Sequence, residues 1–419
     1  MVPGTDMSRL DPRQFIPRSN RLSTEEAAAR LGVKKETIYA YVSRGILSRR
    51  KAVDGRESTF DADEVDRLRR QRMGDHAGRL ETPAQTSVTE VRDGYVAYRG
   101  TPIDELAAEG VGYEGAAELL WNLRPPRPWS ANAELVDAIT VACVALGETA
   151  NLIDRLLISA VVMSSHDPFR HDRDPRSATL SVQALVAAAV DALPPVRKPR
   201  MKSDASIAER LWPRLSTEAK SNASVLDRAL MLLADHGLAS STVAARIAAS
   251  TRGGPHASVV AGLGALNGPL HGAASQAVHE LLVAAETHGV DQAIAETLRS
   301  NGKIPGIGHF IHRTHDPRFS LLIDVLSAST LPVARIDVVN KVIEQTQARV
   351  SVPHSIDFAL GSLTFAAGMR PDAGELIFAL ARTAGWTAHA LEEHTQAPLR
   401  FRPIGRYEPN APRPAVPEV

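Results

Sequence analysis

Cysteine is nearly absent. A single residue, Cys143, in a chain of 419 rules out any internal disulfide framework, and its apolar surroundings, Thr140-Val-Ala-Cys143-Val-Ala-Leu146, predict an inert core thiol. No apolar run approaches the roughly 20 residues needed to span a bilayer. The polar start also has no charged-then-apolar targeting pattern, so a cytoplasmic location is expected. There is no His-Glu-x-x-His, no cysteine cluster, no dinucleotide fingerprint and no P-loop. No metal or prosthetic group is therefore expected. Net charge is also lacking, but residues 1–80 hold 17 Lys and Arg against 12 Asp and Glu, and the remainder holds 31 against 36. The basic excess belongs to the N-terminal piece.

A hydrophobic share of 44% with 23% charged residues is that of a soluble globular chain, and the length predicts two or three domains. Residues 1–20, with Pro3, Pro12 and Pro17, read as a flexible leader. Ser23 and Glu26 form a capping box for a short helix that Gly32 stops. A second helix runs from Val33 to Val42 and closes at Arg44-Gly45, giving a helix-turn-helix. Asp54-Gly55-Arg56 is a hairpin turn leading into Ser58-Thr-Phe60, which makes a wing, and Asp63 to Arg72 is an arginine-rich amphipathic helix. The module spans 21–73 and a linker 74–85. Beyond a partly alternating stretch, Thr86 to Val96, helical spacing dominates, as in Ser224–Leu233 and in the segment from Pro371 to Leu380. Leu193 to Lys202 reads as an exposed loop and residues 407–419 as a Pro-rich tail.

Three segments concentrate glycine, proline and an ionisable residue: Leu266-Asn-Gly-Pro-Leu-His271-Gly272, Lys303-Ile-Pro-Gly-Ile-Gly-His309 and Val352-Pro-His-Ser-Ile-Asp357-Phe358. Such composition suits close backbone approach to a ligand, and two histidines with one carboxylate suit acid-base chemistry better than metal binding.

Gly268-Pro-Leu-His-Gly272, Pro305-Gly-Ile-Gly-His309 and Ile356-Asp-Phe358, in this order, resemble the active-site signatures of the citrate synthase family. The likeness covers about residues 86–406, with Tyr98-Arg-Gly-Thr-Pro-Ile103 and Asp316-Pro-Arg318 in keeping. It implies a mainly α fold with a large helical subdomain (86–272 and 369–406) and a small one (273–368) that closes over substrate. The implied reaction is condensation of acetyl-CoA with oxaloacetate to citrate and CoA, or, with propionyl-CoA, to 2-methylcitrate; one methylene separates the two. In that chemistry Asp357 takes the α-proton, His271 stabilises the enolate oxygen and His309 protonates the keto oxygen. A base alone does not suffice, because a thioester α-proton is weakly acidic and a donor must meet the developing oxyanion.

By the same resemblance His236, Arg318, Arg382 and Arg402 bind the oxo acid, Arg402 by reaching into a neighbouring subunit, so a homodimer is implied. Lys303, Ile304, Gly306, Gly308 and Arg313 are implied for CoA, a co-substrate and not a cofactor. The chain departs from the family pattern at Gly237, where Glu is usual, at Ala239, where Asn is usual, and at Ser355, where Asn is common. Loss of a carboxylate and an amide beside His236 predicts altered orientation or protonation of that ring.

Residues 21–72 resemble the MerR or excisionase type of winged helix-turn-helix. Lys34, Lys35, Thr37 and Tyr39 would face a DNA groove, with Arg44, Arg49, Arg50, Lys51 and Arg56 on phosphates. The rival to an enzyme is a DNA-binding regulator whose synthase-like part senses an oxo acid or CoA ester without turnover. Retention of His271, His309 and Asp357 speaks against it, and the departures at Gly237 and Ala239 speak for it.

Overall fold

The computed structural model describes residues 21–31, 33–43, 46–51, 58–62, 64–65, 68, 85–147, 149–198, 202–268, 271–272 and 274–401. The leader, Arg44, the 54–56 turn, nearly all of the linker, Arg402 and the tail lie outside these residues, as do most positions of the arginine-rich helix. The chain divides into two compact units, Met1–Ala84 and Gln85–Val419.

In the first unit β1 (Arg21–Ser23) leads into helix Thr24–Leu31, whose capping box is formed as read: Ser23 N–H donates to Glu26 Oε2 at 2.8 Å and Glu26 N–H to Ser23 Oγ at 3.2 Å. The second helix is Lys35–Ser43, two residues later than the spacing predicts. The reason is local: Val33 N–H bonds back to Ala28 carbonyl at 3.0 Å, so Val33 belongs to the turn that ends the first helix. The wing exists as β2 (Arg49–Lys51) antiparallel to β3 (Ser58–Asp61), and β1 adds a third strand on the other side, giving the order β1-β3-β2. Ala27, Leu31, Ile38, Leu47, Phe60 and Val65 form its apolar core.

The second unit opens with a meander, β4 (Thr89–Arg92), β5 (Tyr95–Tyr98) and β6 (Thr101–Pro102), from the alternating stretch. Helices follow. The longest, Ala373–His394, is buried along nearly its whole length, since its sequence is apolar or small on every side. It begins two residues after Pro371 and carries Phe378, Arg382 and His389 through the core. Around it pack Ser240–Ser250, Pro255–Leu266 and Ala223–Leu233. A second apolar cluster, with Val278, Leu282, Ile294, Ile304, Val342 and Phe358, joins Ala274–His288, Val290–Asn301, Val333–Arg349 and Ile356–Ala366. Cys143 is buried, as expected, and its thiol pKa is raised by that burial. Among the described residues no helix is long and apolar enough to cross a membrane.

Two of the glycine-rich motifs are held together by backbone. Gly308 N–H donates to Pro353 carbonyl at 2.8 Å, Ser355 N–H to Gly306 carbonyl at 2.8 Å, and Ile307 pairs with His354 in an isolated bridge. Gly306 has φ +70°, and a Cβ there would lie 2.7 Å from Val278 and 2.8 Å from Phe358. Gly306→Ala is expected to lower stability by about 2–4 kcal/mol, combining left-handed strain with overpacking, read as a lower denaturant midpoint at unchanged m.

Candidate active site

Tyr98, buried in β5, places its hydroxyl 3.0 Å from Met231 carbonyl and 3.2 Å from those of Leu232 and Asp235. Arg382 donates from Nε to Leu233 carbonyl at 2.8 Å. Together they cap the end of helix Ala223–Leu233 and fix the loop that carries His236. Gly237, in the left-handed region at φ +63°, donates its N–H to Asp235 Oδ2 at 2.9 Å, so a local turn stands where the family usually has a glutamate.

Three imidazoles meet over this loop. His236 Nε2 lies 3.0 Å from His312 Nε2, His236 and His309 stand edge-to-face at 5.1 Å, and His309 and His312 are 5.0 Å apart. His309 Nδ1 accepts the N–H groups of Ile311 and His312, both at 3.1 Å, which confines the ring's proton to Nε2. Among the described residues no cluster of His, Cys, Asp and Glu is arranged to hold a metal ion.

Below them Asp316 caps helix Pro317–Ser327 and grips Arg318 in a fork, Nε to Oδ1 at 3.0 Å and Nη2 to Oδ2 at 2.8 Å. It also accepts Ile356 N–H at 3.0 Å, at the start of the helix that bears Asp357. Burial opposes ionisation of Asp316, but the Arg318 guanidinium holds its pKa down to about 2. Asp357 has the reverse balance: burial pushes its carboxyl up to about 6 against the pull of Arg318. Ser355 Oγ is 3.4 Å from Asp357 Oδ2.

His271 is held by Ser241, Nε2 to Oγ 2.9 Å, and stands edge-to-face to Phe378 at 5.9 Å. The other side of that contact is Arg382, whose guanidinium lies 4.6 Å from the Phe378 ring centre. Burial lowers the pKa of His236, His271, His309 and His312, to about 4 for His309, and nearby arginines add to it, Arg318 for His236 and His309 and Arg382 for His236 and His271. All four rings are neutral near pH 7. His236, His271, His309, Arg318, Arg382 and Asp357 are thus joined in one charged neighbourhood, whereas Arg402 is outside the described residues. Ile304 is buried; Lys303 and Arg313 are exposed, and Arg313 N–H donates to Asp93 Oδ1 at 2.9 Å.

Behind His236 runs a buried ionic string. His389 Nε2 is 3.3 Å from Asp235 Oδ2, and His389 Nδ1 is 3.0 Å from Arg246 Nη1. Arg246 in turn meets Glu393 at 3.0 Å and Glu392 at 2.6 Å, while Glu392 Oε1 accepts Ser87 N–H at 2.7 Å. Sequence reading missed His312, Ser241, Asp235 and His389, and it used Asp316 only as part of a motif. None has a local signal except Asp316, whose Asp-Pro-Arg context is a helix start. An open cleft of about 360 Å³ elsewhere, lined by Val161, Ser164, Arg170 and His256 among others, contains none of the site residues.

The family model for the citrate synthase C-terminal domain matches residues 80–407. The chain belongs to the citrate synthase family. A helix-turn-helix domain model matches residues 21–73 of this citrate synthase-type enzyme. Curated relatives include citrate synthase 2 of Bacillus subtilis, 28% identical over 77% of this chain and 92% of that protein. The 2-methylcitrate synthase of Mycobacterium tuberculosis is 27% identical over 74% of this chain and 84% of its own length. Among solved structures, the ternary complex of carboxymethyl coenzyme A and oxaloacetate with citrate synthase from Thermoplasma acidophilum has a TM-score of 0.65 at 22% identity, covering 82% of this chain and 98% of that one. Citrate synthase from Thermotoga maritima gives 0.63 at 24%, covering 81% and 96%. At these identities the structural likeness speaks to the fold, which is the mainly helical one expected.

A carboxyl with pKa raised to about 6 costs stability when ionised and nothing when protonated in both folded and unfolded chains. Asp357→Asn is therefore expected to stabilise the fold by up to about 3 kcal/mol at pH 8, the gain fading as pH falls through about 6 and vanishing below about 4. Denaturant melts at several pH values check this.

Proposed function

We propose that the enzyme condenses acetyl-CoA with oxaloacetate to give citrate and CoA. The observation that carries this reading is a carboxyl of raised pKa, Asp357, that shares the Arg318 and Arg382 guanidiniums with neutral imidazoles, one of which has its proton confined to one nitrogen. Asp357, poised near working pH, takes a proton from the acetyl methyl. Ser241 Oγ lies 2.9 Å from His271 Nε2, and in the tautomer this reading requires the hydroxyl is the donor, which leaves the ring's proton on Nδ1 for the enolate oxygen. As the enolate carbon attacks the keto carbon, His309 gives its Nε2 proton to the keto oxygen, and water then cleaves the citryl thioester to citrate and CoA. His236, Arg318 and Arg382 hold the oxo acid's carboxylates; Arg402 completes the set from the partner of a homodimer. Lys303, Ile304, Gly306, Gly308 and Arg313 serve the CoA, and residues 273–368 close over both substrates to exclude water. The Thermoplasma acidophilum relative, a complex with a CoA analogue and oxaloacetate, supports these substrates.

Propionyl-CoA is the alternative acyl donor, favoured by the 2-methylcitrate synthases among the relatives; the pocket discriminates by one methylene, about 1–3 kcal/mol. The N-terminal match to a helix-turn-helix domain supports a second activity, binding of duplex DNA. Lys34, Lys35 and Arg49 are exposed, Tyr39 is half exposed, Thr37 is partly buried, and Lys35 is paired with Glu25 in the free chain. Arg44, Arg49, Arg50, Lys51 and Arg56 are the proposed phosphate contacts.

Thiol release from acetyl-CoA and from propionyl-CoA with oxaloacetate is expected to exceed that of Asp357→Ala by about 10²–10⁴-fold with the preferred donor, with kcat/KM falling below about pH 6. Release no greater than the variant's with either donor would leave the domain as a sensor. Duplex DNA binding is expected to weaken steeply with salt and to disappear when residues 1–80 are removed; binding that survives the deletion refutes its assignment to this module.

A further inference from the structure

His312 belongs to no part of the reaction described above, yet it is fully buried at the oxo-acid site and its ring contacts both His236 and His309. We propose that His312 is a positioning residue that holds His236 in the Nδ1-protonated tautomer, so that His236 meets the dianionic oxo acid as a neutral hydrogen-bond donor. The inference rests on the oxo-acid reading of the site.

The two Nε2 atoms are 3.0 Å apart, so one ring donates and the other accepts. If His236 donated, its remaining nitrogen would be a bare lone pair facing an anion. His312 would then carry its proton on Nδ1, which is buried and has no hydrogen-bond partner among the described residues. That arrangement leaves a buried N–H unsatisfied and sets lone pair against carboxylate, both costly. If His312 donates, the lone pair no longer faces the carboxylate, and the buried unpaired N–H is exchanged for a buried unpaired acceptor, which folded chains tolerate better. Its Nδ1 becomes an unprotonated acceptor, and His236 Nδ1 carries the proton toward the ligand. Asp316 Oδ1, 3.9 Å from His312 Nε2, also favours a proton on that nitrogen. Protonating either ring instead is opposed first by burial and then by Arg318, and the pull of Asp316 on His312 does not reverse the balance.

The same residue acts twice, because its backbone N–H is one of the two donors that confine the proton of His309 to Nε2. With glycine, leucine and alanine at 237–239, the three residues after His236 offer no polar side chain to set its tautomer. His312 supplies that function from across the site.

The test combines nitrogen-15 histidine spectra of the full chain, assigned with His236→Asn, and steady-state kinetics. In the wild type, His236 is expected to show a protonated Nδ1 and an unprotonated Nε2. His312→Phe should raise the KM for oxaloacetate about 10–100-fold while leaving that for the acyl-CoA within about threefold, a loss of one to two hydrogen bonds to charge. His312→Gln, whose amide N–H reaches the same point, should restore most of it. A wild-type His236 protonated on Nε2, or a Gln variant no better than Phe, overturns the proposal. If the wild type releases no thiol, the enzymatic reading fails, and calorimetric binding of oxaloacetate to the same variants still decides the tautomer argument. If Phe does not fold, the wild-type spectrum and the Gln variant decide it.

Discussion

Asp316 is the constraint on which the site depends. One buried carboxylate caps a helix, locks Arg318 in a two-pronged ion pair and accepts the N–H that starts the Asp357 helix. Two of these contacts are local and the third reaches 40 residues along the chain, so Arg318 and the start of the Asp357 helix are tied to one carboxylate. Burying such a charge is costly unless every oxygen is engaged, and here both are. Loss of either partner would leave a naked charge in the core, which is why the pair specifies geometry more than it adds stability.

The electrostatics of the pocket follow from that anchoring. With Arg318 held by Asp316 and Arg382 fixed against Leu233 carbonyl, two guanidiniums are retained in a site where imidazoles lose their protons. The site thus keeps its guanidinium charge without an imidazolium, and its rings stay neutral. Keeping Asp357 away from direct pairing preserves a basic carboxylate amid cations.

Much of this was legible in the chain. The helix-turn-helix with its capping box, the alternating meander, the helical character of the rest and the three glycine-rich motifs all rest on local rules of capping, turn and period. The start of the second helix was misplaced because the bond from Val33 to Ala28 closes a turn that helical spacing cannot distinguish from a first turn. His312 was not singled out because its role arises from a contact with His236 across 76 residues, and Ser241 likewise meets His271 from 30 residues away. Asp235, His389 and Arg246 read in sequence as ordinary polar positions on helices or their ends. Only packing makes them one network.

That network has a mechanical side. Ser87, two residues beyond the start of the second unit, is hydrogen-bonded to Glu392, and from there Arg246, His389 and Asp235 lead without a break to the turn beneath His236. Its middle members are sealed from water and have no solvent contact to take up slack. Tension on the chain at Ser87 is therefore borne by the same bonds that hold the turn beneath His236 in place.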